Sequence, residues 1–555
     1  MTERTWTTGS GWSEPVGGAE DRASGRGARP GAVLAVLILG QLAVWLDNTI
    51  LNVALRTLAD PVRGLGASSG ALEWSVGAYP LVFAALLFAG GVLGDRYGRV
   101  LAFTIGTFVF GAGSAWAAYA SSPAELIIAR GVMGAGSALV MPATLSIITN
   151  VFPPERRAKA IAVWSGSAGI AIAGGPLLGG FLLEHFWWGS VFLVNVPLAA
   201  LTLIGCAAVL PESRDRGAGR FDPAGLVLSA AALFGIVYGV IRGGEVGAWD
   251  RLDVLGPIGA GLVLLVAFVE VERALRAPSL DVRLFAERTF TGASLAVMLS
   301  FFGLLGSMFY AVFYLQTVRG MAPLSAGVVL LPVALGVAIG AGAGERLVAR
   351  VGVPAVCAPA IAVVAATLLG YALLDASTDL WFYRGLLLAQ GVGIGAVMAP
   401  TTEAMLGALP KEKAGGGSAV NNALRQVGGV LGVAVLGSVL AQDYQHRIAP
   451  SLAGLPAGAR PAAGATVEAT ASLAARTGQP ALARAADTAY LHAMHLTTVV
   501  GGCVVALGVA VVLIFFRPAD GRRAPAAPAP RDEDLYPIGP VTTDLTLPLS
   551  IRREE

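Results

Sequence analysis

An aspartate and an arginine stand inside segments that are otherwise apolar: Asp47 within Leu46-Asp47-Asn48-Thr49-Ile50, and Arg130 opening Arg130-Gly131-Val132-Met133-Gly134. An ionisable side chain in a lipid-crossing helix is costly unless it faces an aqueous cavity, pairs, or takes up a proton, so Asp47 is a candidate for proton chemistry. A guanidinium does not give up its proton. Arg130 is therefore a candidate for setting the charge state of a nearby carboxylate, or for holding a hydrogen-bond network that depends on it. Plainer alternatives stand beside both: Asp47 ties its helix to a neighbour, and Arg130 snorkels to the outer surface. Asn52 follows Asp47 by about one and a half helical turns and need not share its face. Farther along, Asn421, Arg425 and Gly428/Gly429 recur at helical spacing and line one face toward a helix-bundle interior.

Elements that cross a bilayer must position these groups. The chain has 555 residues, 55% of them apolar and only 13% charged, and a mean hydropathy of +0.70, where ordinary globular domains carry roughly 25% charge. So few charges cannot cover the surfaces of several soluble domains, and the apolar excess must face lipid. A net charge of +2 without a basic cluster gives no sign of nucleic-acid binding. Cys206, Cys357 and Cys503 are far apart in apolar runs, and His185, His446, His492 and His495 form no zinc pattern, so no metal site is expected. There is no G-x-x-x-x-G-K-[ST] loop for ATP and no convergent set of catalytic side chains, so neither ATP hydrolysis nor another enzyme activity is expected.

Apolar runs long enough to span give about fourteen segments, near 33–55, 73–94, 100–121, 125–149, 159–183, 190–210, 224–242, 253–272, 292–315, 324–345, 354–374, 382–408, 417–441 and 494–516. Arg96/Arg99, Arg156/Arg157/Lys159, Arg214/Arg216/Arg220, Arg273/Arg276/Arg283/Arg288, Arg346/Arg350 and Lys411/Lys413 all fall in loops on the side of both tails. That side is expected to be cytoplasmic, with the chain multi-pass in the inner membrane and its first span acting as the insertion signal. The expected organisation is a disordered tail at 1–30, a six-helix half at 31–212, an inserted helix pair at 213–275, a second six-helix half at 276–517, and a disordered tail at 518–555. The loop 442–493, with a helix-compatible part from Val467 to Ala486, reads as a small lid or, more simply, a spacer. An internal repeat relates the halves: GDRYGR (94–99) matches ERLVARVG (345–352), and RGVMGAGSALVMP (130–142) matches QGVGIGAVMAP (390–400).

Gly91-Val-Leu-Gly-Asp95-Arg96-Tyr-Gly98-Arg99 resembles the G-x-L-a-D-r-x-G-r loop of the major facilitator superfamily. Asp47 to Leu55 resembles the l-D-x-T-v-x-n-v-A-l motif of its fourteen-helix drug:proton antiporters, with Arg56 where a proline is usual. Arg130 begins that family's R-x-x-x-G-x-G, and Gly174-Gly175-Pro176-Leu177-Leu178-Gly179-Gly180 resembles the G-P-x-x-G-G core of its antiporter motif. Asn195-Val-Pro197, Asp281 to Phe285, and Asn421 to Gly429 agree as well. The usual W-R-W before the sixth span is Trp188-Gly189-Ser190.

The resemblance implies an all-α membrane fold of two six-helix halves plus two inserted helices, exporting amphipathic drugs or antibiotics in exchange for protons by alternating access. The proton gradient is then the energy source, without a cofactor, and the partners are substrate, protons and lipid, with the chain a monomer. It implies proton coupling by Asp47, Arg130 and Arg425; a conformational latch of Gly91, Asp95, Arg96, Gly98 and Arg99; and a tight seam at Gly175, Pro176, Gly179 and Gly180. Asn52, Tyr79, Trp164, Tyr314, Gln316 and Asn421 are expected at the substrate cavity. Export of one metabolite, peptide or lipid precursor, or a receptor that does not transport, remains open at this stage.

Overall fold

The computed structural model describes residues 30–213, 222–275, 282–408 and 414–516, which are helical with short connections and contain no strand. Both tails, Arg214, Arg216, Arg220, Arg276, Asp281, Lys411 and Lys413 lie outside the described residues. The first helices are α1 (Pro30–Ala59), α2 (Ser69–Tyr97), α3 (Arg99–Ala118), α4 (Pro123–Val151), α5 (Pro154–His185), a short α6 (Ser190–Leu193) and α7 (Asn195–Val209). After them come α8 (Pro223–Val246) and α9 (Leu252–Ala274). The remainder comprises α10 (Arg288–Phe313), α11 (Pro323–Val351), α12 (Val353–Gly370), α13 (Leu380–Gly407), α14 (Ala414–Ile448), α15 (Arg460–Ala463), α16 (Val467–Thr477) and α17 (Pro480–Phe515). Each expected span falls on a helix, the sixth on α6 and α7 together. Among the described residues, 13 helices are long and apolar enough to cross a membrane. The fifth expected span, 159–183, falls on the 32-residue α5.

Contacts between helices repeat in two sets. In the first, α1 packs on α5, α2 and α3 on α4, and α3 on α7; in the second, α10 packs on α14, α11 and α12 on α13, and α12 on α17. The correspondence extends to the turns. Gly98 (φ 139°) joins α2 to α3 and Gly352 (φ 89°) joins α11 to α12, both in backbone conformations that favour glycine. The two sets meet along two seams, α2 against α14 and α5 against α11. The pair α8/α9 sits over the first seam: α8 touches both α2 and α14, and α9 packs on α8 with side chains such as Val263, 69% exposed, facing outward.

One segment departs from expectation. Instead of a mostly irregular loop over 442–493, α14 runs on to Ile448 and α17 begins at Pro480. The expected helix over 467–486 is interrupted because Gly478 adopts a left-handed conformation (φ 63°) and Pro480 starts a new helix, where its missing N–H costs nothing. The connection is also not a free spacer. Ser69 Oγ on α2 donates to the Ala465 carbonyl (2.8 Å), and Thr317, just after α10, donates to Glu468 on α16, so the segment caps both helix sets at one end.

Candidate functional site

Arg130 and Asp47 form an ion pair in which both side chains are buried, 2% and 0% exposed. The pair sits where α1, α2, α3, α4 and the α6–α7 junction meet, and each helix contributes a contact. Arg130 Nε donates to the Ser75 carbonyl (3.0 Å), and its guanidinium lies 4.7 Å from the Tyr79 ring centre and 6.0 Å from that of Phe192. On the other side, Asn195 Nδ2 donates to Asp47 Oδ1 (3.2 Å) and also reaches Ser114 Oγ (3.1 Å), which donates to the Phe192 carbonyl (2.9 Å). A buried pair of this kind holds its charge only while partnered, since removing either member strands the other in a low-dielectric interior. Asn195 was legible in sequence only as a match to a motif. Its placement against Asp47 comes from the packing of α7 on α1 and α3.

At the corresponding place in the second helix set the charges are absent. Gln390, which aligns with Arg130 in the repeat, donates from Nε2 to Ser307 Oγ on α10 (3.1 Å) and accepts from the Tyr371 hydroxyl (2.9 Å). The same helix crossing is thus held by neutral hydrogen bonds in one set and by an ion pair in the other. At that crossing only the first set holds a carboxylate. Arg425 stands apart from Asp47, on α14: its Nη2 is 3.3 Å from Thr402 Oγ1, to which Asn421 also donates (2.9 Å), and its guanidinium covers the Phe301 ring. Among the described residues no carboxylate forms an ion pair with it.

Between α2 and α3, Asp95 pairs with Arg99 one turn later (2.7 Å). The free N–H groups at the start of α3 are taken by Glu212, which follows α7: its carboxylate accepts from Val100 (3.1 Å), Leu101 (3.0 Å) and Ser213 (3.0 Å). Negative charge at a helix N-terminus is favourable through both hydrogen bonds and the helix dipole. Gly98 makes room for it, because a Cβ there would come within 2.9 Å of the Glu212 carboxylate. The sequence signal for Glu212 was weak, a lone glutamate after a proline.

The far ends of α5 and α11 meet through glycine. A Cβ on Gly180 would collide with the Leu324 backbone, 2.7 Å from its nitrogen, and one on Gly327 would collide with the Pro176 peptide, 2.8 Å from its carbonyl carbon. Gly175 and Gly179 instead face Thr49 and Ile50 of α1. Across the same seam Glu184 accepts from Leu324 N–H at the start of α11 (3.1 Å), and Gln316 Nε2 donates to the Val53 carbonyl (2.9 Å). These contacts shut the bundle at the end opposite Asp95 and Arg99.

A family model described as Major Facilitator Superfamily matches residues 37–433. The chain belongs to the major facilitator superfamily. It is 32% identical over 527 residues to the tetracenomycin C resistance and export protein of Streptomyces glaucescens, covering 92% of this chain and 96% of that one. It is also 34% identical over 499 residues to the multidrug efflux pump LfrA of Mycolicibacterium smegmatis, covering 88% and 97%. Among solved structures, a bacterial homolog to the human lysosomal transporter Spinster, inward-facing and occupied, superposes with a TM-score of 0.62 at 18% identity over 90% of this chain and all of that one. That likeness shows the fold alone.

In this major facilitator protein, a multi-pass membrane protein with the two repeated helix sets as its halves, three residues expected at a central cavity lie elsewhere. Tyr79 is buried inside the first half beneath Arg130, its hydroxyl donating to Ser137 Oγ (2.8 Å). Tyr314 is buried in the second, donating to the Asp375 carbonyl (2.8 Å) with its ring edge on Tyr383. Gln316 is spent on the seam. Tyr314 and Gln316 sit at the end where the halves meet through glycine and Tyr79 well inside α2, all three buried where helix packing leaves no open wall. Asn52 folds back on the Asn48 carbonyl (3.3 Å). Trp164 accepts from Gln41 through its carbonyl (3.1 Å), and the Nε1 atoms of Trp164 and Trp45 are buried without partners. Asn421 Oδ1 and Arg425 Nε are likewise unpartnered. A cavity of about 730 Å³ opens at the arginine-rich end of the second half, lined by Glu287, Glu345, Arg346 and Glu403 among others, and none of the six expected residues lines it.

Proposed function

We propose that this protein is a proton-coupled antiporter that exports amphipathic small molecules, drugs or antibiotics, by alternating access. The observation that carries the reading is the buried Asp47–Arg130 pair held by Asn195 in one half, set against its neutral counterpart Ser307–Gln390 in the other. A proton arriving at Asp47 neutralises it and frees Arg130 to re-form its contacts, which gives the half two discrete arrangements. Substrate and proton then compete for one conformational choice, as exchange requires. Relatives named for tetracenomycin C export, multidrug efflux and methyl viologen resistance support drugs as the cargo.

The arginine-rich end is the cytoplasmic one in this reading, with both termini on that side of the inner membrane. The closed seam at the other end then makes the structure inward-facing, ready to load. No enzymatic step and no cofactor enter: the gradient supplies the energy, the bilayer is the solvent, and a monomer suffices. Latch roles for Gly91, Asp95, Arg96, Gly98 and Arg99, and coupling by Arg425 through Thr402, belong to the same proposal. Proteoliposomes with an acidic interior, given methyl viologen or a fluorescent cation outside, test it. Gradient-driven accumulation that Asp47→Asn abolishes is expected; accumulation indifferent to the gradient would overturn the antiporter reading.

A further inference from the structure

A second acid is buried at the closed end, on no motif. Glu73, on the outer part of α2, is 1% exposed and lies where both halves and the α8/α9 pair meet. Its carboxyl fits a niche cut by glycine: a Cβ on Gly437 of α14 would come within 2.6 Å of Glu73 Cδ. Beside it, the Ser438 hydroxyl lies 3.0 Å from the Val240 carbonyl of α8 and 3.4 Å from Glu73 Oε2.

That hydroxyl has one proton to give. The Val240 carbonyl can only accept, and it is nearer, so it takes the Ser438 proton. At 3.4 Å the Ser438 hydroxyl gives the Glu73 carboxyl only a weak bond, so a charged carboxylate would have little hydrogen bonding to hold it there. Its charged surroundings agree. From α8, Glu245 packs on the same turn of α2, its Cγ 2.8 Å from a Cβ built on Gly70, while Arg242 is turned to Glu245 (3.5 Å) and Asp253 (3.4 Å). From α14 come Gly437 and Ser438, with Asp443 farther out and paired to Arg447. On the other side of Gly437, a small pocket holds Glu468, Tyr444 and Tyr490. Among the described residues no Lys or Arg forms an ion pair with Glu73. A carboxylate here would face Glu245 in a dry niche without a cation.

We propose that Glu73 is a second protonation site of the exchange cycle, distinct from Asp47, and that it gates the end opposite the arginines. With its proton in place, α2, α8 and α14 stay packed and that end is shut. When the end opens, the niche is wetted and the proton leaves to water on that side; acid there returns it and favours closure. Glu73 carries no proton across the membrane, so it sets the direction of the switch rather than the stoichiometry. This rests on the alternating-access reading above, but its test does not require transport.

Spin labels on Val62→Cys and Leu373→Cys, both highly exposed at this end and on opposite halves, report its opening in a Cys503→Ser background by pulsed dipolar spectroscopy on the reconstituted full chain. The expected result is a short distance at acid pH that gives way to a longer one as pH rises. Glu73→Gln should lose that response and keep the short distance throughout, Glu73→Asp should keep the response with a moved midpoint, and Glu468→Gln should keep it. A wild-type distribution that ignores pH, an unchanged response in Glu73→Gln, or a response lost only in Glu468→Gln would each overturn the proposal. If the pH response follows Glu73 while the proteoliposome assay shows no gradient dependence, the gate stands and the antiporter reading fails.

Discussion

Asp47 and Arg130, 83 residues apart in the chain, meet as a fully buried ion pair whose anchor on the carboxylate side is a third helix's amide, Asn195. Either charge alone would be stranded. Arg130→Ala leaves Asp47 without its cation, and losing one partner of a buried pair costs about 3–5 kcal/mol. Asp47→Asn keeps a hydrogen-bonding group of the same shape and leaves the Arg130 guanidinium the Ser75 carbonyl and the Tyr79 ring as partners, so it should be tolerated better in folding while losing proton-driven exchange. Thermal unfolding in detergent, followed by size-exclusion recovery, separates the two. Equal recovery of both variants would count against the pair as a structural unit.

The neutral crossing in the second half gives a contrast. Gln390→Leu removes the bonds to Ser307 and Tyr371 and leaves those hydroxyls short of a partner, at a cost of about 1–3 kcal/mol. Stability should fall, but the dependence of exchange on the pH gradient should stay that of wild type. A gradient dependence lost in Gln390→Leu would assign proton coupling to both halves.

At the glycine seam, Gly180→Val and Gly327→Val each push side-chain atoms into the backbone of the facing helix. Overpacking of this kind costs about 1–3 kcal/mol, and here it falls on the closed state alone. Thiol labelling of a cysteine placed at the start of α11 should therefore rise roughly tenfold or more. Unchanged labelling would show that the seam does not bear on closure.

Glu468 makes the docking of α16 sensitive to pH. Burial pushes its carboxyl up to about 7, against the pull of its bond from Thr317 and of Arg56. A raised acid binds its proton more tightly when docked, so docking is strongest below the free glutamate value of 4.5 and weakens as pH climbs from there to about 7. Hydrogen exchange across Val467–Thr477, corrected for intrinsic rates, should show less protection at pH 8 than at pH 5.5, and Glu468→Gln should abolish the difference.

Glu212 is a cap supplied from a distance, and replacing it with Ala frees the Val100 and Leu101 N–H groups at the start of α3. A lost cap costs about 0.5–2 kcal/mol. Gly98→Ala should destabilise as well, by forcing a side chain into a φ of 139° and against the same carboxylate. A melting temperature unchanged in both variants would remove Glu212 from this role.

The membrane character, the helix positions and the repeat follow from local composition, because a span is a run of apolar residues and each run declares itself without reference to the rest of the chain. Motif residues on one helix were legible for the same reason: Asp47, Arg130 and the Gly175–Gly180 stretch stand out against their own neighbours. Which of them meet was not. Asp47 joins Arg130 but not Arg425, Tyr79 and Tyr314 turn into their own halves, and Gln316 is consumed by the seam. Such outcomes depend on helix rotation and on how deeply the halves are pressed together, which glycine contacts tens to hundreds of residues apart decide. Glu73, Glu212 and Glu468 were invisible for a related reason: a lone glutamate near a helix end reads as solvated until another helix, placed by tertiary packing, takes its water away.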